Sequence, residues 1–162
     1  MLTTAQQAVV LADINNSSDL SALPHNADGS FEIARLYSLD AVPDYWVWRT
    51  SVPLTDITDN GFAWDEVDGL SVGKARIWEW MFGNPNNSCN PSKSNVRQGI
   101  INVWSGTSAK LAVQAAVFGH CMRKANRLEK LLASGSGTTA SPSLMTFEGT
   151  TNYQEIENIR TT

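Results

Sequence analysis

One stretch constrains the fold more than any other. Leu70 to Gly83, LSVGKARIWEWMFG, places Ile77, Trp78, Trp80, Met81 and Phe82 within six residues and holds two of the chain's six tryptophans. On a helical wheel Leu70, Ile77, Met81 and Trp78 share one face, with Ala75 and Phe82 further round. Only a narrow arc holding Arg76 and Glu79 is polar. A surface helix has a much narrower apolar stripe, so this pattern predicts a central helix buried around most of its circumference. Ser71 is placed to cap it, because a hydroxyl there accepts a bond from an unpaired first-turn N–H. Gly83 can end it in the left-handed conformation. Lys74 falls within the apolar side, so its ammonium must reach an edge or an acidic partner.

A chain of 162 residues is enough for one domain to enclose such a helix without disulfides or metal. With 42% apolar and 17% charged residues the composition is that of a soluble globular protein. No apolar run approaches the roughly 20 residues needed to cross a bilayer. The first residues lack a charged region followed by an apolar run, so no secretory signal is expected. Cys89 and Cys121 have no metal-ligand spacing with His25 or His120 and are expected as free thiols.

The net charge of −4 hides a division along the chain. Residues 1–70 carry eleven acids against Arg35 and Arg49, residues 71–133 carry nine bases against Glu79 and Glu129, and residues 134–162 carry three acids against Arg160. Two readings are open: the halves neutralise each other inside one fold, or acidic and basic faces of different copies meet, or a basic face meets phosphate.

The flanking segments read as mainly helical. AQQAVVLADI from Thr3 or Thr4, SDLSAL before Pro24, and FEIARLYSL capped by Ser30 all follow helical spacing or helix-stop chemistry. Asp44 to Ser51 alternates and is aromatic and β-branched, so it is a strand or an extended segment laid across helices. A short helix follows Pro53. Beyond the polar loop NPNNSCNPS a helix runs from Ser92 to Gly106. The longest predicted helix spans Ser108 to Ala133, with Leu111, Ala115, Phe118, Met122, Ala125 and Leu132 as its stripe. Its last turns carry Arg123, Lys124, Arg127 and Lys130, which suit the negative end of a helix dipole. Spread over half the helix surface, these four form a candidate basic surface for a neighbouring subunit, an acidic protein or phosphate.

Ser134 to Ser143, SGSGTTASPS, has no charge and no large apolar residue, which is the composition of a flexible linker. Residues 1–133 are therefore expected as a helical body and residues 134–162 as linker and extended arm. The arm is not plain linker, because it holds Leu144, Met145, Phe147, Tyr153, Ile156 and Ile159. Such a segment can order itself on a partner's sheet edge or groove.

No catalytic constellation emerges. VGKAR around Lys74 lacks the glycine spacing of a phosphate loop. His120 and Cys121 point roughly 100° apart on a helix, which leaves no nucleophilic dyad. Asp65, Glu66 and Asp68 lack the alternating pattern of a calcium loop. No cofactor and no metal site is expected.

Several phrases together resemble a family: VWRTSVPLTDI, W-x-x-VDGLSVGKARIWEWMF, NPSKSNVRQGI followed by VW, H-C-x-R-x-x-N-R-x-E-K-L, and GSGTTASPSLMTFEG. From about Val47 onward the chain resembles head–tail adaptor, or connector, proteins of tailed bacteriophages. That resemblance implies a mainly helical, non-enzymatic virion protein of the neck between head and tail, present in the host cytoplasm during assembly. It implies a homo-oligomeric ring, usually a dodecamer, below the portal protein and around the DNA channel. Portal protein, a tail or neck protein and further copies of the chain would be its partners, with passive contact to packaged DNA and no membrane. The arm residues would dock on portal or neighbour, and the basic residues would face a subunit or the DNA channel. A tail-completion or stopper protein, or a small helical nucleic-acid-binding regulator, are the alternatives.

Overall fold

The structure is a computed structural model and describes residues 1–59 and 61–161. In chain order the elements are α1 (Thr4–Asn16), α2 (Ser18–Ser21), α3 (Ala27–Ser38), β1 (Trp46–Trp48), β2 (Val52–Pro53), α4 (Leu54–Ile57) and α5 (Trp64–Asp68). They continue with α6 (Val72–Phe82), β3 (Ser88–Cys89), α7 (Ser94–Val103), α8 (Ser108–Cys121), β4 (Met122–Lys124), α9 (Arg127–Leu132) and α10 (Tyr153–Thr161). The fold is mainly α, as the helical spacing predicts. It divides into two compact units rather than a body and an arm. Unit 1 is residues 1–47 with 124–162, and unit 2 is residues 48–123.

Unit 1 is a helical cluster of α1, α3, α9 and α10. Thr3 and Gln6 form a reciprocal capping box that starts α1. α3 starts earlier than its apolar spacing predicts: the Asn26 side chain accepts from the Gly29 N–H, and Ser30, the expected cap, is buried inside the helix. Val10 and Ile14 from α1, Ile33 and Tyr37 from α3, and Leu128 and Leu132 from α9 share one core. Ile156 and Ile159 of α10 complete it, at 0% and 3% exposure.

The predicted extended arm is therefore folded back into its own unit. Leu2 N–H donates to the Glu155 carboxylate at 2.6 Å. Arg160 donates to the Leu23 and Pro24 carbonyls, both at 2.9 Å, where the end of α2 leaves acceptors open. The glycine-rich stretch before it is fixed as well. Trp46 N–H donates to the Gly137 carbonyl at 2.7 Å, Ser143 N–H donates to the Trp46 carbonyl, and the Tyr45 hydroxyl donates to the Gly135 carbonyl. Gly137 sits at φ +62°, and a Cβ there would lie 2.2 Å from the Tyr45 ring. Glycine serves here for close approach and a left-handed backbone, not for mobility.

The single helix predicted over Ser108 to Ala133 is broken. Met122 adopts φ −122° and ψ 159°, which ends α8 in extended backbone. Asn126 then starts α9 through a capping box with Glu129. In unit 1 the Ala125 N–H donates to the Tyr45 carbonyl and its carbonyl accepts from the Ala41 N–H, so the extended residues satisfy their backbone outside any helix.

Unit 2 is organised by aromatic rings. Trp104, fully buried, meets Trp78 at 5.2 Å and Phe62 at 6.0 Å between ring centroids, both edge-to-face. Trp78 continues to Phe82 at 5.0 Å. β2 and β3 pair antiparallel, with Val52 opposite Cys89. Ser71 caps α6 by accepting from the Lys74 N–H, and Gly83 follows its last residue, both where the sequence places them. Gly83 has φ −73°, so the stop is not the left-handed one expected. The larger correction concerns burial. Only Trp78 and Phe82 of α6 are buried, because the helix packs through one side and leaves the other open. Of the two outlets expected for Lys74, it takes no acid: half-buried, its ammonium donates to the Ser105 hydroxyl at 2.8 Å and carbonyl at 3.1 Å.

Candidate functional site

The basic quartet is not the continuous helical surface the sequence predicts. Arg123 and Lys124 lie in β4, while only Arg127 and Lys130 lie on α9. Lys124 pairs with Asp44 at 2.7 Å. Arg127 forms an ion pair with Asp19, stands 3.8 Å from Asp13 and lies over the Tyr37 ring at 5.6 Å. That pairing holds the Asp19 carboxyl below its ordinary range, first through the hydrogen bond from Arg127. Tyr37, whose hydroxyl donates to Asp13 at 2.8 Å, is pushed up, chiefly by burial. Lys130 donates to the Val42 and Pro43 carbonyls at 3.1 and 3.2 Å. Arg123 is half-buried and engaged. These cations are spent on their own fold.

The arm residues divide. Ile156 and Ile159 are core, and Met145 and Phe147 are half-buried, with Phe147 packed against that core. Leu144 and Tyr153 remain open at 44% and 40% exposure. Glu129, fully buried, anchors the segment: its carboxylate accepts from the Asn126 N–H and the Gly149 N–H at 3.1 and 2.9 Å.

Among the described residues no group of three or more His, Cys, Asp and Glu could hold a metal ion, and no helix is long and apolar enough to cross a membrane. Cys89 and Cys121 are both buried free thiols of unit 2. The Cys121 thiol donates to Cys89, which pushes Cys121 up and holds Cys89 down. His120 points to solvent beside this pair.

What sequence reasoning missed is the surface of unit 2. On α6, Val72, Arg76 and Trp80 recur at i, i+4 and i+8 with Ile77 beside them. Trp80 is 74% exposed and Val72 75%, against 8% for Trp78 two residues earlier. The near-uniform apolar character of LSVGKARIWEWMFG hid which side would face out. A second surface is a groove of about 370 Å³ between the segment leading into α5 and the outer side of α8. Phe62, Ala109, Ala112, Val113 and Ala116 line it with apolar side chains, and Asp65 and Glu66 add two acids. Among the described residues, neither those two acids nor Arg76 has an ion-pair partner. The nearby cation, Lys110, is held on the Gly69 carbonyl at 2.7 Å.

Compared with known proteins, the chain matches no family model, and neither a curated protein nor a solved structure gives a significant match.

Proposed function

We propose that this protein is a non-enzymatic assembly component of a tailed-phage virion, a head–tail adaptor that sits in several copies between portal and tail around the DNA channel. The observation that carries this reading is the open α6 side, where a tryptophan and a valine stand three-quarters exposed on a helix whose other side is core. Exposed aromatics of this kind are enriched where one protein packs on another. The phrase-level resemblance from Val47 onward supports the virion setting. The internal pairing of Lys124 and Arg127 and the carbonyl contacts of Lys130 weigh against a nucleic-acid-binding regulator. Those charges are committed, and DNA affinity depends on cations free to displace counterions.

Docking through a free C-terminal arm is revised by the fold. Partner contact instead falls to the unit 2 surface, together with the exposed Leu144 and Tyr153. The test is attachment of the purified protein to DNA-filled, portal-bearing heads, scored as copies bound per head after sedimentation. Multi-copy binding that enables tail joining is expected. Failure to attach, combined with salt-dependent binding to free duplex DNA, would overturn the adaptor in favour of the regulator.

A further inference from the structure

Unit 2 carries two surfaces with complementary chemistry, an exposed aromatic beside a cation and an apolar groove beside acids. The α6 side presents Trp80 and Val72 to solvent, with Arg76 one turn from each. The α5–α8 groove is lined by small apolar side chains and Phe62, with Asp65 and Glu66 among its lining residues. About 370 Å³ is enough to admit an indole, and three alanines at i, i+3 and i+7 on α8 share the face that lines it. No residue belongs to both surfaces.

We infer that Trp80 of one copy seats in the α5–α8 groove of a second copy, with Arg76 against Asp65 and Glu66. The occupant is a copy of this chain because the groove asks for a large apolar group next to a cation. α6 presents that pair one helical turn apart, on residues with no ion-pair partner among the described ones. Arg beside the two acids steers the encounter and fixes register, while the buried indole supplies most of the affinity. Because each contact uses one copy's α6 and the other's groove, every added copy presents a fresh α6 and a fresh groove. Such a head-to-tail contact grows past the dimer, into a ring where the rotation closes. This deepens the multi-copy reading above and rests on it only for the idea that copies meet.

The test is sedimentation of the full chain over a concentration series. Wild type is expected to assemble beyond the dimer. Trp80→Ala is expected to weaken self-association on the order of 30-fold or more, as for an interface tryptophan at a hot spot. Ala112→Trp, which fills the groove from within, is expected to stay monomeric. Mixing the two variants is the discriminating step: one keeps a working groove and the other a working α6, so the mixture gives 1:1 dimers that grow no further. Arg76→Glu is expected to weaken assembly and Arg76→Glu with Glu66→Lys to restore it, with circular dichroism checking that each variant is folded. A wild type that stays monomeric throughout, a Trp80→Ala chain that assembles normally, or a mixture without dimers overturns the inference. If assembly persists without Trp80, the interface is wrong while the adaptor reading stands; if assembly follows the expected pattern but heads are not bound, the reverse holds.

Discussion

The two units differ in what they do with their basic residues and with their apolar helix faces. Unit 1 holds ten acids and five bases, and it pairs Arg127 with Asp19, Lys124 with Asp44 and Arg35 with Glu32. Its late apolar residues, Ile156 and Ile159, close its own core. Unit 2 holds six acids and seven bases and pairs Arg49 with Asp56, yet Arg76, Asp65 and Glu66 stand without ion-pair partners among the described residues. It leaves Trp64, Val72, Ile77, Trp80, Ile101 and Leu111 in the open. Unit 1 exposes Val9, Phe31, Leu39, Val42, Leu144 and Tyr153 as well, so number does not separate the units; what does is the recurrence of Val72 and Trp80 on one side of a single helix, α6. Unit 1 spends α10 on its own core, whereas unit 2 sets a tryptophan and that unpaired arginine one turn apart on the open side of one helix.

The strongest way to break that contrast is to remove α10. Deleting residues 153–162 uncovers the core at Ile156 and Ile159, and each buried isoleucine is worth about 2–5 kcal/mol. The truncated chain should lose cooperative unfolding of unit 1 in hydrogen exchange. A true flexible arm would leave protection unchanged. Glu129→Ala comes next. It strands the Asn126 and Gly149 N–H groups in a buried site, for a loss of about 3 kcal/mol measured by urea unfolding.

A smaller effect separates the units by pH. Asp19 titrates below its ordinary range when folded, so its pair with Arg127 contributes fully above the unfolded carboxylate's pKa. That contribution drains away as pH falls through the lowered folded value. Asp19→Asn should flatten this part of the acid limb in a series of melting temperatures. The smallest stability change is expected from Trp80→Ala, within about 0.5 kcal/mol by thermal melting at concentrations too low for self-association, because the residue is 74% exposed in the single chain. A much larger loss would mean that α6 is covered within its own unit.

Much of the fold was legible in particular residues. Ser71 starts α6, Gly83 follows it, and the apolar spacing of α1 is visible from Ala5 onward. The break after Cys121 was legible too, since Asn126 and Glu129 spell a capping box. The stripe from Leu111 through Phe118 to Met122 and Ala125 runs straight into it, and periodicity outweighed the local signal. The fixed stretch Ser134 to Ser143 was not legible. Composition gives the glycines' freedom but not that Gly137 lies against the Tyr45 ring, a contact made across some ninety residues. The basic quartet misled for a related reason. Charge spacing along one segment cannot show that Asp19 and Asp44, far off in sequence, meet it in space.

The placement of α10 also sets an order of events during synthesis. Unit 2 has all its residues once Arg123 has emerged, whereas unit 1 waits for Ile156 and Ile159. Until then Val10, Ile14 and Ile33 lack part of their cover. The first helices made are thus among the last to be sealed, and the nascent chain carries a sticky, half-closed bundle while the inserted unit can already fold. A pause or a premature stop before Tyr153 would leave that bundle open, which ties completion of unit 1 to the synthesis of α10.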